Sequence, residues 1–386
     1  MLIWIKDESI ADIATGSNQT ILALEHLATA YREGKHIVLG KRDTLETIVA
    51  SGKIESKATI VYNELIAKLP ELFNIRSKLS TYVEVIGKES ALKIDRSHGK
   101  NIIRLPVTFF SDSYNLQKTL LLCENSKDGD FYEFIGMAYM SNVNMKNISV
   151  ELDNSSPLSG GNGYLIYEGR ATAKSDARRL AFCILDSDKV APVCSLGSTA
   201  KKVIEIHNKY FPVFMDYYVL ESREVENILP FKFIEMVCAS DTNKAKIVKS
   251  LNSLLINTEL QEIYPFVDIK NGTVLYEPIK KVADSTSIEL WKSKAQIIIK
   301  QNSQCIENWS CVTKNKKGQG CTCSISEGLG EIMDDIIKYI QDDRINKDKL
   351  AREVWHHLSP SQKLEWEKIG SNIISWGASL SRSFSS

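Results

Sequence analysis

The sequence predicts an α/β protein, with a parallel-sheet core, an N-terminal α/β unit before it and a largely helical C-terminal region after it. Short apolar runs at residues 1–5 (MLIWI), 119–123 (TLLLC) and 181–185 (AFCIL) have the length of strands buried on both faces. Stretches with apolar residues at helical spacing alternate with them, among them 21–32, 131–140 and 201–209. Beyond residue 240 the helical pattern dominates. These shifts divide the chain into segments 1–115, 116–240 and 241–386.

In the first segment, strands are expected at 1–5, 36–39, 82–86 and 102–107, and helices at 21–32, 44–50 and 60–69. Gly34 and Pro70 are the expected stops of the first and third helices. Asp7, Glu8 and Asp12 read as acids matching a helix start rather than as a second site. No nucleotide fingerprint occurs here, and a partner-binding or regulatory role is the expected one.

The second segment repeats one pattern. Strand 119–123 runs into Glu124-Asn125-Ser126-Lys127-Asp128 and then helix 131–140. Strand 148–152 is closed by a glycine-rich turn containing Gly160 and Gly161. Helix 171–180 leads into strand 181–185, which ends in Asp186-Ser187-Asp188-Lys189. Helix 201–209 leads into strand 213–220, which ends in the stretch ESREVEN, residues 221–227. In open α/β sheets ligands sit beyond the carboxyl ends of the strands. Two carboxylates two residues apart repel each other unless protonated or bound to a cation, and a hard ion such as Mg²⁺ or Mn²⁺ is the natural partner. The competing reading of Asp186 and Asp188 is a loop start and a helix cap.

These motifs together resemble the TOPRIM domain of some topoisomerases, primases and OLD-family nucleases. Glu124 and Asp128 match its first acidic turn, with Asn125 replacing the usual glycine. Gly160 and Gly161 match its glycine-rich turn, Asp186 and Asp188 its DxD, and Glu226 the later acid of nuclease-type members. The resemblance spans about 110 of the 386 residues. It implies a cytoplasmic, Mg²⁺- or Mn²⁺-dependent endonuclease, a toxic effector of an anti-phage defence system. Glu124 is then metal ligand or general base, Asp186 and Asp188 are ligands, and Glu226 completes the cluster. Asp128 is either a ligand or a helix cap. Lys189 and Arg223 are candidate phosphate contacts, although Arg223 is also placed to pair with a neighbouring Glu. A catalytically degenerate binding or sensor module and a primase-like nucleotidyltransferase are the alternatives. The resemblance implies a partner ATPase or sensor, and an ATPase is expected to be a separate protein, because the chain has no GxxxxGK[ST] loop.

In the third segment residues 241–257 are an expected helix capped by Asp241, and 277–281 begin an expected polar loop. From 291 to 320 six lysines face one acid, with Trp291 and Trp309 interleaved, a mixture suited to a nucleic-acid backbone. Lys292, Lys294 and Lys300 are the leading contacts. Cys305, Cys311, Cys321 and Cys323 invite a structural Zn²⁺, but C-x5-C-x9-C-x-C lacks knuckle pairs and favours reduced thiols.

Composition bounds these readings. The chain carries 48 basic and 48 acidic residues, so any nucleic-acid surface must be local. The opening residues are not a signal peptide, and no run approaches the roughly 20 apolar residues of a membrane span. Cys123, Cys183, Cys194 and Cys238 are dispersed, as suits reduced thiols of a cytosolic protein.

Overall fold

The computed structural model describes residues 1–97, 99–145, 147–155, 158, 163–172, 179–282, 284–298 and 323–380. The expected glycine-rich turn at Gly160 and Gly161, and Lys300, Trp309, Cys305, Cys311 and Cys321, lie outside the described residues. The chain packs into two compact units. One comprises Met1–Ile184, Val203–Tyr218 and Glu367–Ser386, the other Leu185–Lys202 and Val219–Trp366.

The first unit opens with β1 (Leu2–Ile5), α1 (Asn18–Arg32), β2 (Ile37–Gly40), α2 (Arg42–Ala50), α3 (Ser56–Leu72), α4 (Ile75–Lys78), β3 (Thr81–Ile86), β4 (Lys93–Ser97) and β5 (Lys100–Pro106). The strands form one sheet in the order β2-β1-β3-β5-β4. All pairs are parallel except β4 with β5. The apolar strands β1, β2 and β3 are buried throughout, as parallel strands between helices must be. β4 escapes a pattern reading because it is a polar, half-exposed edge strand. α3 does not stop at Pro70. It carries that proline in its last turn, where burial of Leu69 and Leu72 offsets the lost hydrogen bond.

The chain continues with β6 (Leu120–Leu122), α5 (Ser126–Asn142), β7 (Ser149–Val150), α6 (Tyr164–Ala171), β8 (Ala181–Leu185), α7 (Ser198–Tyr210) and β9 (Met215–Val219). β6, β8 and β9 form a three-stranded sheet in that order. β6 and β8 are parallel, with Leu120 opposite Ala181 and Leu122 opposite Cys183. The bonds Ala181 N to Phe214 O and Leu220 N to Leu185 O advance together along β8 and β9, the sense of a parallel pair. The helix expected at 171–180 falls largely on residues 173–178, outside the described residues; α6 ends at Ala171. The expected strand 148–152 shortens to β7. Past it, Asp153 makes a parallel bridge with Leu120.

The second unit holds α8 (Phe231–Cys238), α9 (Thr242–Ile256), β10 (Gly272–Val274), α10 (Tyr276–Lys281), α11 (Ser285–Ile298), β11 (Ser324–Glu327), α12 (Met333–Gln341) and α13 (Lys347–Trp355). Asp241 caps α9 by accepting from the N–H groups of Asn243 and Lys244. The expected polar loop at 277–281 is helical, as α10. The described part of the region is thus mostly helix, with one antiparallel ladder, β10–β11. α14 (Pro360–Gly377) begins in this unit and returns the chain to the first, where β12 (Ala378–Ser379) pairs with β7. There Trp376 stacks on Phe182 of β8, ring centroids 5.6 Å apart.

No helix among the described residues is long and apolar enough to cross a membrane.

Candidate functional site: acidic turns at the strand ends

β6 runs on through Cys123 to Glu124, which is exposed. Asn125 accepts from Lys127 N, while Asp128 accepts from Asn125 N at 3.1 Å and is 8 % exposed. This reciprocal capping box starts α5 and gives Asp128 a structural task.

β8 delivers Asp186, Ser187 and Asp188, and these pack within the second unit. Ser187 is fully buried. Its hydroxyl donates to Ser222 O at 2.6 Å, and the N–H groups of Ser187 and Asp188 both donate to Arg223 O at 3.0 Å. Asp188 is exposed and holds a left-handed φ of 52°, a conformation that Asp tolerates better than most residues. Gly197 closes the turn by donating its N–H to Ser187 O at 2.8 Å. A Cβ on Gly197 would lie 2.7 Å from the Asp188 Cβ. Gly197→Ala is therefore expected to displace the Asp188 carboxylate at about 1–3 kcal/mol of stability. Urea unfolding reads the loss, and a fully stable variant would contradict the packing.

The stretch after β9 is the other half of the arrangement. Arg223 donates to Glu224 and to Asp268, each at 2.8 Å, so its guanidinium is held between two carboxylates. The pair reading of Arg223 is the one observed. Glu224 caps the 3-10 turn Val225–Ile228. Burial raises its carboxyl, Arg223 lowers it, and Asp268 and Asp188 push it up again. Glu226 lies in the same turn, 7 % exposed. Burial pushes its carboxyl up to about 7, with Glu224 and Glu331 adding to the rise and Lys270 opposing it. Lys270 itself pairs with Glu331.

Glu226 holds its proton more tightly folded than unfolded, so stability falls as pH rises from 4.5 to about 7 and is level above that. In metal-free protein, Glu226→Gln is expected to add on the order of 2–3 kcal/mol at pH 8 and little at pH 4. An equal effect at both pH values would contradict the burial argument.

One residue that holds the site together escaped the sequence reading. Glu365 of α14 is 4 % exposed, and its carboxylate accepts from Glu221 N at 2.6 Å, Ser222 N at 3.1 Å and Ser222 Oγ at 2.6 Å. It fixes the strand-end loop to which the Asp186–Asp188 turn is bonded. Gln362, one turn earlier, donates to Leu229 O at 2.7 Å, and Trp366 Nε1 to Ile228 O at 2.8 Å.

The expected basic and aromatic surface is corrected in part. Trp291 is fully buried and donates to Val190 O at 2.7 Å, so it is core rather than a stacking platform. Lys292 pairs with Glu289 at 3.1 Å and Lys294 with Glu262 at 3.4 Å. Cys323 is buried and in no disulfide.

Among the described residues no three His, Cys, Asp or Glu side chains form a group able to hold a metal ion by themselves. Mg²⁺ at phosphoryl-transfer sites does not require such a cage, since it binds through one or two carboxylates, water and substrate phosphate. The half-exposed Asp186 and the exposed Asp188 suit that mode. Comparison of the chain with protein families, curated proteins and solved structures returns no match.

Proposed function

We propose that the protein is a metal-dependent endonuclease of TOPRIM type that hydrolyses phosphodiester bonds of nucleic acid. The observation that supports this best is the run of three parallel strands, β6, β8 and β9. They continue into Glu124, into Asp186 and Asp188, and into the stretch carrying Arg223, Glu224 and Glu226. On this reading Asp186 and Asp188 hold Mg²⁺ or Mn²⁺, with Glu226 as the further acid that the resemblance implies. An ion bound there would polarise a phosphate oxygen and lower the pKa of water. A water oxygen attacks phosphorus and its proton passes to a carboxylate, while the bond from phosphorus to the leaving oxygen breaks and that oxygen takes a proton from solvent. The resemblance assigns the water's proton to Glu124. Ser187, bonded to Ser222 and Arg223, orients the aspartates. Lys189 is the remaining phosphate contact of the turn, because Arg223 is committed to carboxylates.

The resemblance further supports a cytoplasmic anti-phage effector acting beside a separate ATPase or sensor. A sensor module without catalysis is the second reading. The paired Arg223 and the lack of a three-ligand group among the described residues favour it. Incubation with plasmid, single-stranded DNA and tRNA, with Mg²⁺, Mn²⁺ or EDTA, separates the two. Cleavage only with the divalent ion supports the nuclease, and intact nucleic acid in every arm supports the sensor.

A further inference from the structure

The second unit contains a cavity of about 870 Å³ between the β10–β11 ladder and α10. Small-molecule sites commonly have volumes of roughly 300–1,000 Å³, so a ligand of nucleotide size fits. Most of its lining residues are polar, with charges of both signs. Lys280 and Lys281, in the last turn of α10, face it and form no ion pair among the described residues. Arg223 also lines it, but its charge is balanced by Glu224 and Asp268. Tyr276 presents a half-buried ring, with Lys280 Nζ 5.7 Å from the ring centroid. Ser326 is 4 % exposed, and its hydroxyl has no hydrogen-bond partner among the described residues. A buried hydroxyl without a partner is costly, and a ligand atom would satisfy it. Glu277 and Glu327 share the lining, so the cavity does not select a bare polyanion. It suits a ligand that has an anion at one end and hydroxyl or amino donors at the other.

We propose that this cavity binds one nucleoside phosphate. Lys280 and Lys281 contact the phosphoryl group, Tyr276 stacks on the base, and Ser326 with Glu327 accepts or donates to sugar and base edges. The unit belongs either to a nucleic-acid strand or to a free nucleotide. In the first case the inference rests on the nuclease reading, and in the second it stands without it.

Calorimetric titration of the full chain with AMP, ATP and a six-nucleotide single-stranded DNA or RNA tests the assignment. At least one ligand is expected to bind with a Kd below about 1 mM. The Lys280→Glu/Lys281→Glu protein is expected to bind at least about 10-fold more weakly. Glu277→Gln removes a negative charge from the exposed face of α10 and is expected to bind several-fold more tightly, a gain that misfolding does not produce. Asp186→Asn, which disables the proposed nuclease, is expected to bind as the parent does. Failure of the parent protein to cleave, with binding retained, therefore removes the nuclease reading and leaves the cavity assignment. Binding by the oligonucleotides alone identifies a strand, and binding by AMP or ATP identifies a free nucleotide. Absence of saturable binding by all ligands, or equal binding by the lysine variant, overturns the proposal.

Discussion

Asp186→Asn is expected to leave a folded protein whose Mg²⁺-dependent cleavage is lower by about 10²–10³-fold or more, the usual effect of removing one preorganised charge-stabilising group. Asn keeps the shape of Asp, and Asp186 is only half-buried at the end of β8, so the strand and the Ser187 bonds to Ser222 and Arg223 remain. The lost quantity is the negative charge that would hold the cation. Glu124→Gln is expected to reduce cleavage comparably, because the resemblance gives Glu124 the proton or a metal bond. Its exposed position predicts almost no change in unfolding free energy. Cleavage rates measured beside circular dichroism and urea unfolding check both variants. Undiminished cleavage in both removes the assignment.

Glu365→Ala is expected to have the largest effect on stability. The substitution leaves Glu221 N, Ser222 N and Ser222 Oγ without their acceptor, in a site that is 4 % exposed at Glu365 and 7 % at Ser222. Buried donors stripped of partners cost about 1–3 kcal/mol each, and partial hydration of the loop brings the expected total to about 3–5 kcal/mol. Glu365→Gln separates positioning from folding. It retains one acceptor oxygen and the side-chain volume, so the protein should fold. It loosens the loop that bonds Ser187 and Asp188, and divalent-ion affinity is expected to fall about 10–100-fold, as when an outer support of a metal ligand is removed. A Gln variant that folds and binds the ion like the parent would assign Glu365 to stability alone.

What could be read from the sequence follows from how local its cause is. β8 is apolar on both faces and needs no partner to be recognised, and Asp241 declares the start of α9 by its own side chain. The acids at the strand ends are legible for the same reason, since a strand terminus and its next residues are contiguous. The β10–β11 ladder joins Gly272 to Glu327 across more than fifty residues, and no local pattern announces that pairing. The cavity beside it was equally hidden. Each compact unit is also assembled from segments far apart in the chain, which periodicity does not reveal. Trp291 sat among lysines and so read as surface. In α11 the buried positions are Ser287, Trp291 and Ala295, four residues apart, and that spacing was the available signal. Glu365 is the counterpart. With Gln362, Trp366, Ile369 and Ile373 it lies on one buried stripe of α14, and a carboxylate on such a stripe requires donors to satisfy it.

We propose that the Asp186–Asp188 turn holds a divalent cation. Titration of Mn²⁺ into the parent protein and into Asp186→Asn/Asp188→Asn, followed by calorimetry at pH 8, tests it most directly. Saturable binding in the parent that disappears in the double variant, with both proteins equally folded, is the predicted result. Absence of binding in the parent, or the same isotherm in both, would contradict it.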